Sequence, residues 1–158
     1  MPATETTGEI RAALYVRETL PTPAQKCRQK AIARLERLTA EGPLEGYSVT
    51  SWAKRIPVAG TDSGLERDRY NEFARWAREN GIRLTPFFHT RECYSMETGE
   101  KRTELVLPAV CIALYEGDEL QTVTPHATET TTVSVQDCLD RLSEQATGES
   151  QQTVLTAD

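Results

Sequence analysis

The residues best suited to chemistry lie near the start of a predicted helix, where Cys27 stands between Lys26 and Arg28. Neighbouring cations and a helix N-terminus both favour the thiolate form of a cysteine. The same helical spacing, however, places Cys27 on an apolar stripe with Ala31 and Leu35, where a thiol would be buried and inert. Two interpretations follow: a single-cysteine thiol enzyme that uses Cys27, or a structural cysteine, which the spacing favours.

The same predicted helix is rich in basic residues, which are Lys26, Arg28, Lys30, Arg34 and Arg37. Residues 10–40 hold seven basic and two acidic side chains, whereas residues 103–158 hold one basic and ten acidic. A solvated helix face explains this pattern. The sharper hypothesis is a site for phosphate or for an acidic partner, because Lys and Arg along one helix can follow a nucleic-acid backbone.

Other catalytic and metal-binding patterns are missing from the sequence. The cysteines stand at 27, 93, 111 and 138, so there is no C-x-x-C pair, and in a reducing compartment most should be buried thiols. His89 and His126 have no companion ligands nearby in sequence, and no serine lies in a glycine-flanked elbow. We therefore expect no metal and no cofactor, and an enzyme other than the Cys27 thiol enzyme is not indicated.

The bulk composition predicts one cytoplasmic domain. The chain has 158 residues and a formal net charge of −6, which argues against non-specific nucleic-acid binding by the whole surface. No apolar run is long enough to span a bilayer, and the first residues do not resemble a signal peptide. We expect a protein partner that the sequence does not identify, and a homodimer is possible through an unpaired strand edge or an exposed Trp76.

Hydrophobic patterning and turn residues predict the elements that hold these side chains. A strand at 10–17 precedes a helix from Pro23 to Ala40, capped by Thr22 and ended by Gly42. A strand at 47–58 and a helix at 65–80 follow. We expect both strand–helix–strand units to be parallel and right-handed.

The second half of the chain is predicted to be mainly strands. The pattern indicates a strand at 82–94, a buried central strand at 105–115 containing Pro108, a Gly117 turn, and a strand at 119–124. A polar loop at 125–132 precedes a helix in which Ser134 and Asp137 form a capping box. Residues 10–143 should form a single α/β domain, with disorder predicted for 1–9 and 144–158.

This order, β-α-β-α-β-β-β-α with a mixed sheet, resembles a thioredoxin-like domain. The resembling stretches are Leu107-Pro108, the strand at 109–115, the Gly117 turn, the strand at 119–124 and the closing helix. The resemblance implies a cis Leu107–Pro108 bond and places Pro108 opposite the start of the first helix, as a candidate binding residue. Since the redox C-x-x-C of that family is missing, we expect a non-catalytic binding or regulatory module. A ferredoxin-like α+β sandwich, with its helices on one face, is the alternative fold.

The whole chain is also similar to a group of small proteins of salt-loving archaea that are often labelled helix-turn-helix proteins. The resemblance lies in residues 13–17, 34–38, 85–88, 114–120 and 137–139. That label implies DNA binding, and the function would then be a nucleic-acid-binding transcriptional regulator that uses the basic first helix. The two long predicted helices are separated by a strand, so the sequence itself does not predict a helix-turn-helix pair.

Overall fold

The structure, a computed structural model, describes residues 10–58 and 64–144. A four-stranded sheet forms its centre, with the spatial order β2-β1-β6-β7. These strands are β1 (Ile10–Arg17), β2 (Leu44–Trp52), β6 (Val110–Glu116) and β7 (Glu119–Thr124). Strands β1 and β2 are parallel, as predicted, whereas β6 is antiparallel to both β1 and β7. In the second predicted unit, the strands on either side of the helix do not pair directly with each other.

Two smaller sheets accompany the central one. The first has the order β3-β5-β4 and consists of β3 (Arg55–Pro57), β4 (His89–Tyr94) and β5 (Lys101–Val106), all antiparallel. The second is a ribbon of β8 (His126–Ala127) and β9 (Thr132–Val133). This ribbon lies where the sequence predicted a polar loop, and Ala127 also exchanges backbone hydrogen bonds with Arg83.

Helices cover both faces of the central sheet because alternate residues of its strands point to opposite sides. Leu14 and Ile112 pack in one core with α1 (Thr22–Glu41) and with α3, the helix at 135–144. Tyr15 and Ala113 pack in a second core with α2 (Leu65–Glu79) and the β3-β5-β4 sheet. The α/β class with a mixed sheet is confirmed, and helices on both faces disagree with the ferredoxin-like alternative.

The ends of α1 and α3 show how local sequence sets the helices. Gly42 ends α1 in the left-handed conformation, as predicted, and its N–H donates to the carbonyl of Leu38. At the other end the N-cap is Pro21 and not Thr22, and no side chain caps the helix. The predicted capping box before α3 is present: Ser134 N–H donates to the Asp137 carboxylate at 2.9 Å, and Asp137 N–H donates to the Ser134 hydroxyl at 3.1 Å.

The apolar run at 105–115 is not the single central strand that its composition predicted. It ends one sheet and begins another, because β5 stops at Val106 and β6 starts at Val110. The short link between them is held by contacts from elsewhere in the chain: Leu107 N–H donates to the carbonyl of Lys54, and Arg17 N–H donates to that of Ala109. The predicted strand at 47–58 is divided between sheets in the same way, into β2 and β3.

The remaining structural predictions have mixed outcomes. The cis peptide bonds of the described residues precede Pro86 and Pro125, so the cis bond predicted for Leu107–Pro108 was wrong. Predicted disorder of residues 1–9 and 144–158 lies outside the described residues, except for Glu144, which belongs to α3. Over the described ranges, no helix combines the length and apolar composition needed to cross a membrane.

Candidate basic site at the start of the first helix

The first half of α1 is more exposed than the second half. Residues 22–30 are all exposed except Ala24, which is half-buried. The buried residues of α1 begin only at Ala31 and continue with Leu35 and Leu38. More than two turns of helix are therefore exposed except where Ala24 packs against the core, and these turns carry Lys26, Arg28 and Lys30.

The basic side chains of this segment lie on two opposite sides of the helix. At 3.6 residues per turn, Lys26, Lys30 and Arg37 fall within about 40° of one another, whereas Arg28 lies about 160° from Lys30. All four are exposed, and none makes an ion pair with a residue that the structure describes. These exposed turns therefore have cations without an ion pair among the described residues on both sides of the helix. A single solvated face would have them on one side only.

Arg34 has a different role from the other basic residues of α1. Its guanidinium lies 2.8 Å from the Asp140 carboxylate and 3.1 Å from the Ser143 hydroxyl, both on α3. The charge is therefore already neutralised within the protein. Unlike the other predicted basic site residues of α1, Arg34 therefore links α1 to α3.

Cys27 is exposed, so the interpretation that placed it in the apolar stripe was wrong. Cys111 and Cys138 are buried, and burial raises the pKa of Cys138 to about 11 and that of Cys111 well above its ordinary value. Cys93 is half-buried and donates to the Glu104 carboxylate at 3.0 Å.

Pro108 is buried and lies in the link beside the end of β1. Its carbonyl accepts a hydrogen bond from the indole N–H of Trp52 at 3.1 Å. The preceding carbonyl, that of Leu107, accepts from Arg17 Nε at 2.9 Å and from a second nitrogen of the same guanidinium. Pro108 is thus placed to support the end of β1 and has little surface for contact with a partner.

A pocket at the start of α1 contains basic residues that sequence reasoning missed. It lies where β1 and β2 end and is lined by Arg17, Glu18, Thr19, Pro21, Lys54 and Arg55. Arg17 stands 37 positions from Lys54 in the chain, so no local pattern connects them. The only signal available in the sequence is that two parallel strands end at these positions, since ligands in α/β sheets bind at the carboxyl ends of strands.

A second polar cluster lies on the opposite face of the sheet, between α2 and β6. Glu72 accepts hydrogen bonds from Arg69 at 2.8 Å and from the Tyr115 hydroxyl at 2.9 Å. Burial, reinforced by Glu72, raises the pKa of Tyr115, so its hydroxyl stays protonated as a donor. Because each charge has its partner, this cluster joins helix to sheet. The described residues contain no group of three or more side chains suited to metal binding.

Comparison with known proteins gives one match. The model of a family described as a helix-turn-helix domain matches residues 4–147, which is nearly the whole chain. No curated protein and no solved structure matches. In the described residues no two helices are joined by a short turn, because β2 and β3 separate α1 from α2, and six strands separate α2 from α3.

Proposed function

Since the chain belongs to the family described as a helix-turn-helix domain, we propose that it is a non-catalytic regulatory module that binds duplex DNA through the start of α1. The observation that carries this proposal is the exposure of residues 22–30, of which only Ala24 packs against the core. A helix must stand clear of its own domain to enter the major groove of DNA.

The charges on this segment support the same function. A helix with side chains is about 10–12 Å wide, close to the roughly 12 Å width of the major groove, so both of its sides approach phosphates. Lys30 and Arg28 lie on opposite sides and make no ion pair among the described residues, so each is available to one DNA strand. The formal charge of −6 argues against binding by the whole surface, so a local basic region is required.

The scaffold is proposed to be thioredoxin-like. Its support is the order of a parallel strand–helix–strand unit, a second helix on the other face, an antiparallel strand pair and a closing helix. Strands β3, β4 and β5 are additions to that order, and the bond before Pro108 departs from it. The cytoplasmic location and the homodimer stay predictions, and the second has lost one support, because Trp76 is only 8% exposed.

The proposal is tested by measuring how tightly the full chain binds mixed-sequence duplex DNA between 50 and 200 mM salt. Over this range, each phosphate contact contributes about −0.9 to the slope of the log binding constant against the log salt concentration. The double variant Lys26→Ala and Lys30→Ala should reduce the magnitude of that slope by about 2. Removing the charge of Arg78, at the far end of α2, is the matched control and should leave the slope unchanged. An absence of duplex binding at 50 mM salt would refute the proposal.

A parallel titration with poly-glutamate separates nucleic acid from an acidic protein partner. Both ligands carry negative charge, but only DNA offers two phosphate strands on either side of a groove. Binding of poly-glutamate with equal or higher affinity than duplex DNA, and with the same loss in the Lys26→Ala and Lys30→Ala variant, would replace the DNA proposal with a module that binds acidic proteins.

A second candidate function, thiol chemistry at Cys27, has one specific observation in its favour. The thiol is exposed, and it stands between Lys26 and Arg28 in the chain. Among the described residues the other cysteines are poorly accessible as redox partners, since Cys111 and Cys138 are buried and Cys93 is half-buried. Modification of Cys27 in the folded protein tests the accessibility on which this function depends.

A further inference from the structure

The pocket at the ends of β1 and β2 has more basic than acidic side chains. Arg17, Lys54 and Arg55 line it, together with one acidic residue, Glu18. Like charges that face one pocket repel each other, and a bound anion would reduce this repulsion. In a chain with a net charge of −6, such a grouping is against the overall trend.

Two of the three cations are held in place by contacts with the protein. Arg17 donates through its guanidinium to the carbonyl of Leu107, and burial lowers its pKa without removing the charge of a guanidinium at neutral pH. Arg55 Nε lies 3.5 Å from the carboxylate of Glu104. A fixed guanidinium binds a phosphate with little loss of side-chain entropy.

Lys54 is the cation without such a tether. Its side chain is exposed and makes neither a hydrogen bond nor an ion pair with any residue at 10–58 or 64–144. The backbone of Lys54 is nevertheless fixed, because its carbonyl accepts from Leu107 N–H at 2.9 Å. A mobile ammonium on a fixed backbone, next to two held guanidinium groups, suits an oxyanion with several acceptor oxygens.

The pocket is continuous with the proposed DNA-binding segment. Pro21 lines the pocket and is also the N-cap of α1, and Lys26 follows it by five residues, or about 7.5 Å along the helix axis. The first turn of α1 contains no acidic residue and no side-chain cap. Negative charge at this end of the helix is therefore favoured by the helix dipole as well as by the three cations.

We propose that this pocket holds one phosphate of the DNA backbone, clamped by Arg17, Lys54 and Arg55, when the start of α1 lies in the groove. The proposal rests on the DNA-binding function argued above and extends its contact surface from α1 to the ends of β1 and β2. The phosphate contact would fix how far α1 enters the groove, since backbone contacts set register and orientation.

The experiment compares Lys54→Glu with Arg78→Glu in the full chain, using the same duplex DNA titration. Lys54→Glu reverses charge at the pocket without removing a side-chain contact, and Arg78→Glu makes the same charge change at the far end of α2. We expect Lys54→Glu to weaken binding at 50 mM salt by about tenfold and to lower the salt slope by about 1. Far-ultraviolet circular dichroism and thermal unfolding of both variants confirm that the fold is retained.

The outcomes separate the two proposals. If the wild type binds DNA and the Lys26→Ala and Lys30→Ala variant loses affinity, but Lys54→Glu behaves like Arg78→Glu, the phosphate pocket is wrong while DNA binding by α1 stands. If the wild type does not bind duplex DNA at 50 mM salt, both proposals fail. If Lys54→Glu still weakens DNA binding in the variant that already carries Lys26→Ala and Lys30→Ala, the pocket is an independent contact.

Discussion

Arg34 and Asp140 form an ion pair that joins the first helix to the last, with 2.8 Å between the guanidinium and the carboxylate. Arg34 also donates to the hydroxyl of Ser143, one turn further along α3. Its side chain is 25% exposed and that of Asp140 is 52% exposed. Arg34 thus links two helices of the domain, although in the sequence it resembles the basic residues around it that make no ion pair with a described residue.

Arg34→Ala should therefore reduce stability and not DNA affinity. Partly exposed ion pairs contribute about 0.5–1 kcal/mol, a contribution that added salt reduces. Urea unfolding of Arg34→Ala, Asp140→Ala and the double variant measures the coupling between the two residues. A coupling of zero would show that the pair contributes nothing, and a lower DNA affinity with unchanged stability would return Arg34 to the binding surface.

The cysteines should differ sharply in their reactivity. Cys27 is exposed, whereas Cys111 and Cys138 are buried and have raised pKa values, so few of their thiols are ionised at neutral pH. An aromatic disulfide reagent at pH 7 should modify Cys27 rapidly in the folded protein and reach the two buried thiols only after unfolding. The fast phase should disappear in Cys27→Ser. A slow Cys27 in the wild type would remove the thiol function altogether.

Local sequence signals predicted the helices better than the sheets. The Ser134–Asp137 capping box and the Gly42 end of α1 depend on residues within one turn, so the sequence contains their cause. The apolar run at 105–115 is divided by contacts from Lys54 and Arg17, which are far away in the chain. Hydrophobicity indicates that such a run is buried but does not indicate in which sheet.

The candidate site was predictable only in part, for the same reason. The basic composition of α1 is visible in the sequence, and the structure adds that residues 22–30 are exposed except for Ala24. That exposure depends on how far the core extends beneath the helix, which residue spacing does not reveal. Trp76 shows the opposite error: it was expected at an exposed border, but it is buried and its indole N–H donates to Gln121 at 3.1 Å.

Trp52 should be the most sensitive aromatic position near the site. It is fully buried, stacks on Tyr15 with 4.9 Å between ring centroids, and donates to the carbonyl of Pro108. Trp52→Phe keeps an aromatic ring but leaves that buried carbonyl without its donor, which costs about 1–3 kcal/mol. Trp76→Phe is the matched control, because its acceptor belongs to the exposed residue Gln121 and can bind water. Equal losses in chemical unfolding would contradict the special role of the Trp52 contact.

Glu104 should make the protein sensitive to acid. The Cys93 thiol donates to its carboxylate, and Arg55 and Arg102 lie nearby, so the pKa of Glu104 is lowered despite opposing desolvation. A carboxyl group with a lowered folded-state pKa contributes stability above its unfolded pKa, and that stability is lost as pH falls through the folded value. The free energy of unfolding should therefore fall less steeply below pH 5 in Glu104→Gln than in the wild type. If the free energy of unfolding falls equally steeply below pH 5 in the two proteins, Glu104 makes no such contribution.

The two sides of α1 should contribute separately to DNA binding. Arg28 and Lys30 are about 160° apart on exposed turns, so a helix in the major groove directs one toward each strand. Arg28→Ala and Lys30→Ala should each lower the salt slope by about 1 on duplex DNA, and their effects should add.

Arg37 lies about 10 Å further along the axis from Lys30, above the part of α1 that is packed on the sheet, so Arg37→Ala should have a smaller effect. Single-stranded DNA has one backbone, and on it only one of the two substitutions should matter. A full loss from Arg37→Ala with none from Arg28→Ala would instead place the DNA along the outer side of the helix.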